Sequence, residues 1–261
     1  MDLELKGKKA VVTASRKGIG FAIVRALLNE GSFVLMNGRD NKTLENSQNL
    51  LGNTENLKTI AGDVTDQKVC KEIIEKAINE FGGLDILVTN SGCPVSGKFE
   101  GLTAEQWNDA ISKCLRSHIY LIESALPYLK QSPAPSILTI TSFSVKQTGT
   151  NLILSNSVHT ATAGLTKSLA NELGEYGIRV NSLLPGWTRT DRVNYIMQAR
   201  TKTNQTSLSR EIANVTKAIP LARIVDSDEI GNAAAFLVSP AASYITAVML
   251  SVDGGINQGL F

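Results

Sequence analysis

Short apolar runs alternate along the chain with longer stretches in which apolar positions recur at helical spacing. That alternation marks βαβ units built around a parallel sheet. The runs that read as strands are Lys9 to Ala14, Phe33 to Asn37, Leu57 to Ala61, Asp85 to Thr89, Ser136 to Thr141, Ile178 to Leu183 and Val248 to Val252. The near-continuous apolar character of the first four suits strands covered on both faces. Helical stretches fall between them at about residues 18–30, 40–51, 66–81, 103–130, 152–174 and 226–238. Thr103-Ala104-Glu105-Gln106 has the form of a capping box, and Gly31, Gly52 and Gly177 stand where helices end. The pattern predicts an α/β protein: a single doubly wound Rossmann-type domain over residues 1–261, with a central seven-stranded parallel sheet. The segment at about 191–220 is polar, interrupted and out of step with this rhythm. It is expected to be a lid-like insertion over the substrate or a surface decoration.

Composition narrows the class. With 43% hydrophobic and 19% charged residues, 21 Gly and 7 Pro, the chain of 261 residues is neither disordered nor fibrous. Lys plus Arg number 26 against 24 for Asp plus Glu, a net charge of +2 that argues for no nucleic-acid partner and no anionic membrane. Cys70, Cys93 and Cys114 are widely spaced, so neither a complete disulfide framework nor a zinc pair is expected. A reducing, cytoplasmic setting follows as the expectation. The opening Met1-Asp2-Leu3-Glu4-Leu5-Lys6 lacks the basic start and apolar core of a signal peptide, and no run approaches the ~20 apolar residues that span a bilayer.

The chemistry begins after the first strand, at Thr13-Ala14-Ser15-Arg16-Lys17-Gly18-Ile19-Gly20. Glycines at the mouth of a helix permit a tight turn and let backbone N–H groups approach a pyrophosphate at the positive helix end. Alone, this turn also fits a methyltransferase cofactor, or nothing more than close packing of helix on strand.

Further segments carry a resemblance. Ala14-x-x-x-Gly18-x-Gly20, Asp63-Val64 after the third strand, Thr89-Asn90-Ser91-Gly92 after the fourth, Ser142 after the fifth, Pro185-Gly186 after the sixth and Val252-Asp253-Gly254-Gly255 near the end follow one another in order. Together they resemble the short-chain dehydrogenase/reductase family across some 240 residues, with likeness to its glucose 1-dehydrogenase-like and 3-oxoacyl reductase-like members. The resemblance implies a nicotinamide dinucleotide bound by Ser15, Arg16, Gly18, Ile19, Gly20, Arg39, Asp63, Val64, Asn90, Ser91, Gly92, His159, Pro185, Gly186, Thr188 and Thr190. It also implies a homodimer or homotetramer. Charge at the second strand then favours NADP(H) over NAD(H): Gly38 stands where an NAD enzyme carries an acid, Arg39 follows it, and Arg16 adds a second guanidinium suited to a 2′-phosphate. Ala14 departs from the family's first glycine, and its methyl group is expected to crowd the turn.

The catalytic positions depart further. The family uses a Ser to orient the carbonyl, a Tyr to move its proton and a Lys four residues on. Anchored on Leu165-Thr166-Lys167-Ser168-Leu169-Ala170, those positions hold Ser142, Ser155 and His159. Cys114 stands where the family keeps a relay Asn. An i,i+4 pair on a helix shares a face, so Ser155 and His159 are expected to meet, with His159 as an acid or base near neutrality. Tyr195, in the insertion, is a lesser candidate acid, and His118 is read as a core or interface residue. Two functions remain open: an atypical NADP(H)-dependent oxidoreductase acting on a small alcohol or carbonyl, or a non-catalytic dinucleotide-binding protein serving as a cofactor sensor or partner subunit.

Overall fold

The computed structural model describes residues 1–52 and 54–260; residues 53 and 261 of the expected domain lie outside the described residues. Seven parallel strands form one sheet in the order β3-β2-β1-β4-β5-β6-β7. They are β1 (Lys9–Val12), β2 (Phe33–Gly38), β3 (Leu57–Ala61), β4 (Ile86–Thr89), β5 (Ser136–Ile140), β6 (Arg179–Pro185) and β7 (Met249–Val252). The chain builds outward from β1 to β3, then returns to lay β4 on the other side of β1. That reversal opens a crevice at the carboxyl ends of the strands, the place where doubly wound sheets bind ligands.

Successive side chains of a strand point to opposite faces, and the core divides accordingly. Ala10 and Val12 of β1 join Ile23, Val24 and Leu27 of α1 (Gly18–Asn29) and Ile230 and Ala234 of α9 (Ser227–Val238). Val11 turns the other way, to Ile73 and Ala77 of α3 (Gln67–Phe81), Leu121 of α5 (Ser117–Leu129) and Leu173 of α6 (Ile153–Leu173). Each large aliphatic side chain so buried contributes about 1.5–3 kcal/mol. Asp40 accepts a hydrogen bond from the Thr43 N–H at 2.9 Å and so caps α2 (Asn41–Leu50). The expected capping box is present: Thr103 and Gln106 exchange bonds at the start of α4 (Ala104–Ile111).

Two elements differ from the sequence expectation. The stretch 103–130 is α4 and α5 joined by a π-turn at Ser112–Arg116, where the buried Thr162 of α6 donates its hydroxyl to the Cys114 carbonyl. A neighbouring side chain inserted at such a point is a usual cause of a broken helical ladder. The segment at 191–220 holds two helices, α7 (Asp191–Asn204) and α8 (Leu208–Thr216). Val193, Met197, Val215 and Ile219 form a small core of their own with Ile256, to one side of the sheet. Among the described residues no helix is long and apolar enough to cross a membrane.

Candidate cofactor and active site

β1 stops at Val12 because the chain turns sharply at Ala14, whose φ of 45° lies in the left-handed region. Two asparagines hold that turn. The Ala14 N–H donates to Asn37 Oδ1 and Asn90 Nδ2 donates to the Ala14 carbonyl, both at 3.1 Å. Asn37 Nδ2 also donates to the carbonyls of Ile60 and Gly62, so one buried side chain ties together the ends of β1, β2 and β3. Gly20 admits no side chain: a Cβ there would lie 2.6 Å from the Ser15 Cα and 2.9 Å from the Ala14 carbonyl oxygen. Its place lets α1 start close against the turn. Lys17, at the N-cap of α1, makes no side-chain cap, and the helix's first N–H groups are left facing the crevice.

The crevice is a cleft of about 560 Å³, within the usual range for a ligand pocket. It brings together Arg16, Gly18, Ile19, Arg39, Asp63, Val64, Asn90, Ser91, Gly92 and Thr190 of the expected set. Ser15 lies beneath it rather than on it. Its N–H donates to the Asn37 carbonyl and its hydroxyl to the Val12 carbonyl, so both groups are engaged by the protein. Gly20 is buried behind the turn. Pro185, Gly186, Thr188 and His159 stand back from the cleft, as do Ser142 and Ser155: a Cβ on Gly186 would meet the Asp253 Cα at 2.7 Å, and Thr188 is buried with its hydroxyl bonded to the Gly186 carbonyl. The cleft also takes in Asn37, Cys93, Lys113 and Arg192, which the sequence did not single out.

Charge along the cleft is uneven. Among the described residues neither Arg16 nor Arg39 has a carboxylate within 4 Å. Asp40, next in sequence to Arg39, is occupied in capping α2. Burial pushes the Asp63 carboxyl up, but hydrogen bonds from the Thr65 N–H and hydroxyl, with Arg39 nearby, bring it below its ordinary value. At the cleft mouth, Lys17 meets Asp191 at 2.5 Å, and Arg192 Nη2 donates to the Pro94 carbonyl at 2.9 Å and to Ser96 Oγ at 3.2 Å. The start of α7 is thereby fastened to both banks.

Of the expected catalytic residues, Ser142 and Ser155 gather around a serine that the sequence did not assign, and His159 makes no hydrogen bond with either among the described residues. The Ser144 N–H donates to Ser142 Oγ, and Ser144 Oγ lies 3.0 Å from Ser155 Oγ. Ser142 and Ser155 thus meet through Ser144. The expected contact between Ser155 and His159 is replaced by this serine pair, because the turn Phe143–Val145 presents Ser144 to the first turn of α6. His159 is buried, its Nδ1 has no hydrogen-bond partner among the described residues, and burial pushes the imidazole down to about 4. At that value it is uncharged at neutrality, whereas the sequence reading started from an acid or base titrating near 6.5. His118 is fully buried, with Nδ1 2.7 Å from Thr89 Oγ1. Burial, reinforced by His159, pushes it down to about 3. Cys114 is buried and its Sγ contacts the Gly92 carbonyl at 3.3 Å, while burial pushes its thiol up to about 12. Tyr195 is 65% exposed on α7. Among the described residues no His, Cys, Asp and Glu cluster suits a metal ion.

Comparison with known proteins places this geometry. A family model described as enoyl-(acyl carrier protein) reductase matches residues 13–257. The 3-oxoacyl-[acyl-carrier-protein] reductase FabG of Vibrio cholerae is 31% identical over 257 residues, covering 97% of this chain and 99% of that one. L-sorbose reductase from Gluconobacter frateurii, solved in complex with NADPH and L-sorbose, superposes with a TM-score of 0.94 at 26% identity over the whole of both chains. An NADPH-bound short-chain oxidoreductase from Pseudomonas aeruginosa, described as containing an atypical catalytic center, gives a TM-score of 0.89 at 25% identity, covering 97% of this chain and 99% of that one. With a family match across nearly its whole length and a Gly-rich turn opening onto a nicotinamide-type cleft, the chain belongs to the short-chain dehydrogenase/reductase family of oxidoreductases.

Proposed function

We propose that the protein is an NADP(H)-dependent oxidoreductase that moves hydride between the nicotinamide and a small alcohol or carbonyl of the sugar or 3-oxoacyl class. One observation carries the cofactor preference: Arg16 and Arg39 line the same cleft without carboxylate partners, beside Gly38 rather than an acid. Paired guanidiniums match the geometry and charge of a 2′-phosphate. The other residues fit the same cofactor. The uncapped start of α1 at Gly18-Ile19-Gly20 suits the pyrophosphate. Asp63 and Val64 would flank the adenine, Asn90, Ser91 and Gly92 the floor, and Thr190 the nicotinamide side. The resemblance assigns a ribose contact to His159; its Nδ1 is unpartnered among the described residues but buried and outside the cleft lining, so that contact needs the pocket to open toward α6. The substrate class is drawn from the relatives, one a 3-oxoacyl reductase and one bound to a ketose.

When bound, the nicotinamide supplies or accepts the hydride. The chain's own residues must then manage the negative charge that builds on the substrate oxygen. Ser142 donates a hydrogen bond to that oxygen. In the reducing direction that oxygen takes its proton from water, either directly or through the Ser155 hydroxyl, which gives up its own proton and takes one back from water, leaving hydroxide to the solvent; Ser144 links Ser155 to the Ser142 turn. His159, neutral at its depressed pKa, serves as a hydrogen-bonding group and not as a cationic acid. Ser hydroxyls are weak acids, so turnover is expected to be about 10²–10⁴-fold below that of a site with a well-matched donor. The helices at 191–220 act as a lid, fastened over the cleft by Asp191 and Arg192.

A second reading, dinucleotide binding without turnover, is favoured by the Ser144–Ser155 bond, which engages the hydroxyl nearest to the missing donor. Calorimetric titration with NADPH and NADH, followed by an alcohol and carbonyl panel read at the nicotinamide absorbance, separates the two. NADPH is expected to bind at least about tenfold tighter than NADH, and Arg39→Ala is expected to erase that preference. Equal affinity for the two nucleotides would remove the phosphate assignment. Selective binding without turnover across the panel would favour the second reading.

A further inference from the structure

We propose that Arg192 reads an oxyanion on the substrate, a carboxylate or a phosphate, so that the site prefers an acidic carbonyl or alcohol to a neutral one. The inference rests on the cofactor reading above and extends it to the start of α7 and the loop after β4. Of the cations lining the cleft, Lys17 is met by Asp191, Lys113 by Asp109 at 2.7 Å and Arg189 by Asp226 at 2.9 Å. Among the described residues only Arg16, Arg39 and Arg192 have no carboxylate within 4 Å. The first two are accounted for by a 2′-phosphate.

The side chain of Arg192 is bonded on the other side of β1 from Arg39. Arg39 follows β2 and Arg192 is bonded to the loop after β4, and the sheet order sets β2 and β4 on either side of β1. A 2′-phosphate beside Arg39 therefore does not serve both, and the competing occupant is the cofactor's pyrophosphate, at the turn that meets the start of α7 through Lys17 and Gly18; saturation with NADPH fills that place before any anion is added. The guanidinium is also held in place. Its Nη2 is fixed by Pro94 and Ser96, while Nε and Nη1 make no hydrogen bond among the described residues. A planar fork anchored along one edge, with its remaining donors unused, is suited to bidentate recognition of a carboxylate or phosphate.

The location makes the unmatched charge more telling. Arg192 is the second residue of α7, where the helix dipole opposes a cation. The adjacent Asp191 does not relieve it, being engaged by Lys17. Half-buried walls concentrate such a potential within the cleft. An oxyanion bound here would be held by α7 and the loop after β4 together, across β1 from Arg39.

The test uses the full-length protein saturated with NADPH, so that Arg16 and Arg39 are already occupied. Calorimetry then follows the binding of malonate, inorganic phosphate and, as the neutral control, malonamide. Malonate or phosphate is expected to bind roughly ten- to hundredfold tighter than malonamide, with Arg192→Leu abolishing the difference and Arg192→Lys retaining part of it. Circular dichroism checks that each variant is folded. Preference for malonate points to a carboxylate substrate and preference for phosphate to a phosphoester. Equal binding of the anions and malonamide would overturn the proposal, as would an anion preference that survives in Arg192→Leu. A tenfold loss of NADPH affinity in that variant would also overturn it, by making Arg192 a reader of the cofactor. Failure of NADPH to bind the unaltered protein would instead strike the cofactor reading first, and this inference with it.

Discussion

At the scale of single residues, Ala14 carries the clearest strain in the site. A left-handed φ of 45° brings the alanine methyl close to its own backbone, at about 1–2 kcal/mol. Asn37 and Asn90 hold the residue there by bonding its N–H and its carbonyl. Glycine adopts the same turn without that penalty, although it loses more freedom on folding. Ala14→Gly is therefore expected to stabilise the protein by about 1 kcal/mol, seen as a thermal midpoint raised by about 2–4 °C. A lowered midpoint would mean that the alanine methyl makes contacts worth more than the strain. Arg16 and Arg39 were legible beforehand because a strand–turn–helix motif fixes where their charges must fall. Asn37 was not, since it stands in an apolar run and acquires its role only where three strand ends meet. Ser144 was hidden for a related reason: its contact with Ser155 spans a loop whose path no local pattern specifies.

Between residues and the whole fold stand the elements, and the π-turn between α4 and α5 shows how one is set from outside. Thr162 is fully buried on α6, and its hydroxyl lies between the carbonyls of Cys114 and Val158. Removing it while keeping its volume leaves the Cys114 carbonyl without that donor in an apolar surround of Leu154 and Val158. Thr162→Val is expected to destabilise the protein by about 1–3 kcal/mol, measured as a shift in the denaturant midpoint at unchanged slope. An effect below a few tenths would show that the π-turn stands without its Thr162 bond. The strands and most helices could be read from apolar periodicity, because nearly every one buries a continuous face against the sheet. The π-turn could not, since the sequence reads as one amphipathic stretch and the break is imposed by α6. Nor could α7 and α8. Val193 and Met197 are the only buried side chains of α7, too sparse a pattern to announce a helix before its partners Val215, Ile219 and Ile256 are known.

For the molecule as a whole, the two histidines govern how stability responds to mild acid. Both are buried and held neutral, His159 with its pKa pushed down to about 4 and His118 to about 3. In the unfolded chain each titrates near 6.5. Above that pH both states are neutral and the histidines contribute nothing. Below it the unfolded chain takes up protons that the folded protein refuses, so stability falls with pH by about 1.4 kcal/mol per unit for each imidazole. The loss ends only below their folded pKa values. The carboxylates with depressed pKa values add their own loss, but only once the pH falls below the ordinary carboxylate range; Glu229, pulled down to about 2 by its hydrogen bonds with Arg223 and Asp226, is the strongest case. The interval from pH 6.5 to about 4.5 therefore belongs to the histidines alone. Across it they withdraw on the order of 4 kcal/mol, a large share of the roughly 5–15 kcal/mol that holds a domain together. Denaturant midpoints taken through this interval should fall steeply, and His159→Gln should reduce the slope to about half, since glutamine does not titrate. A flat profile would mean that one or both imidazoles reach solvent and charge freely in the folded protein. In that event the neutral role assigned to His159 would have to be given up in favour of a cationic one.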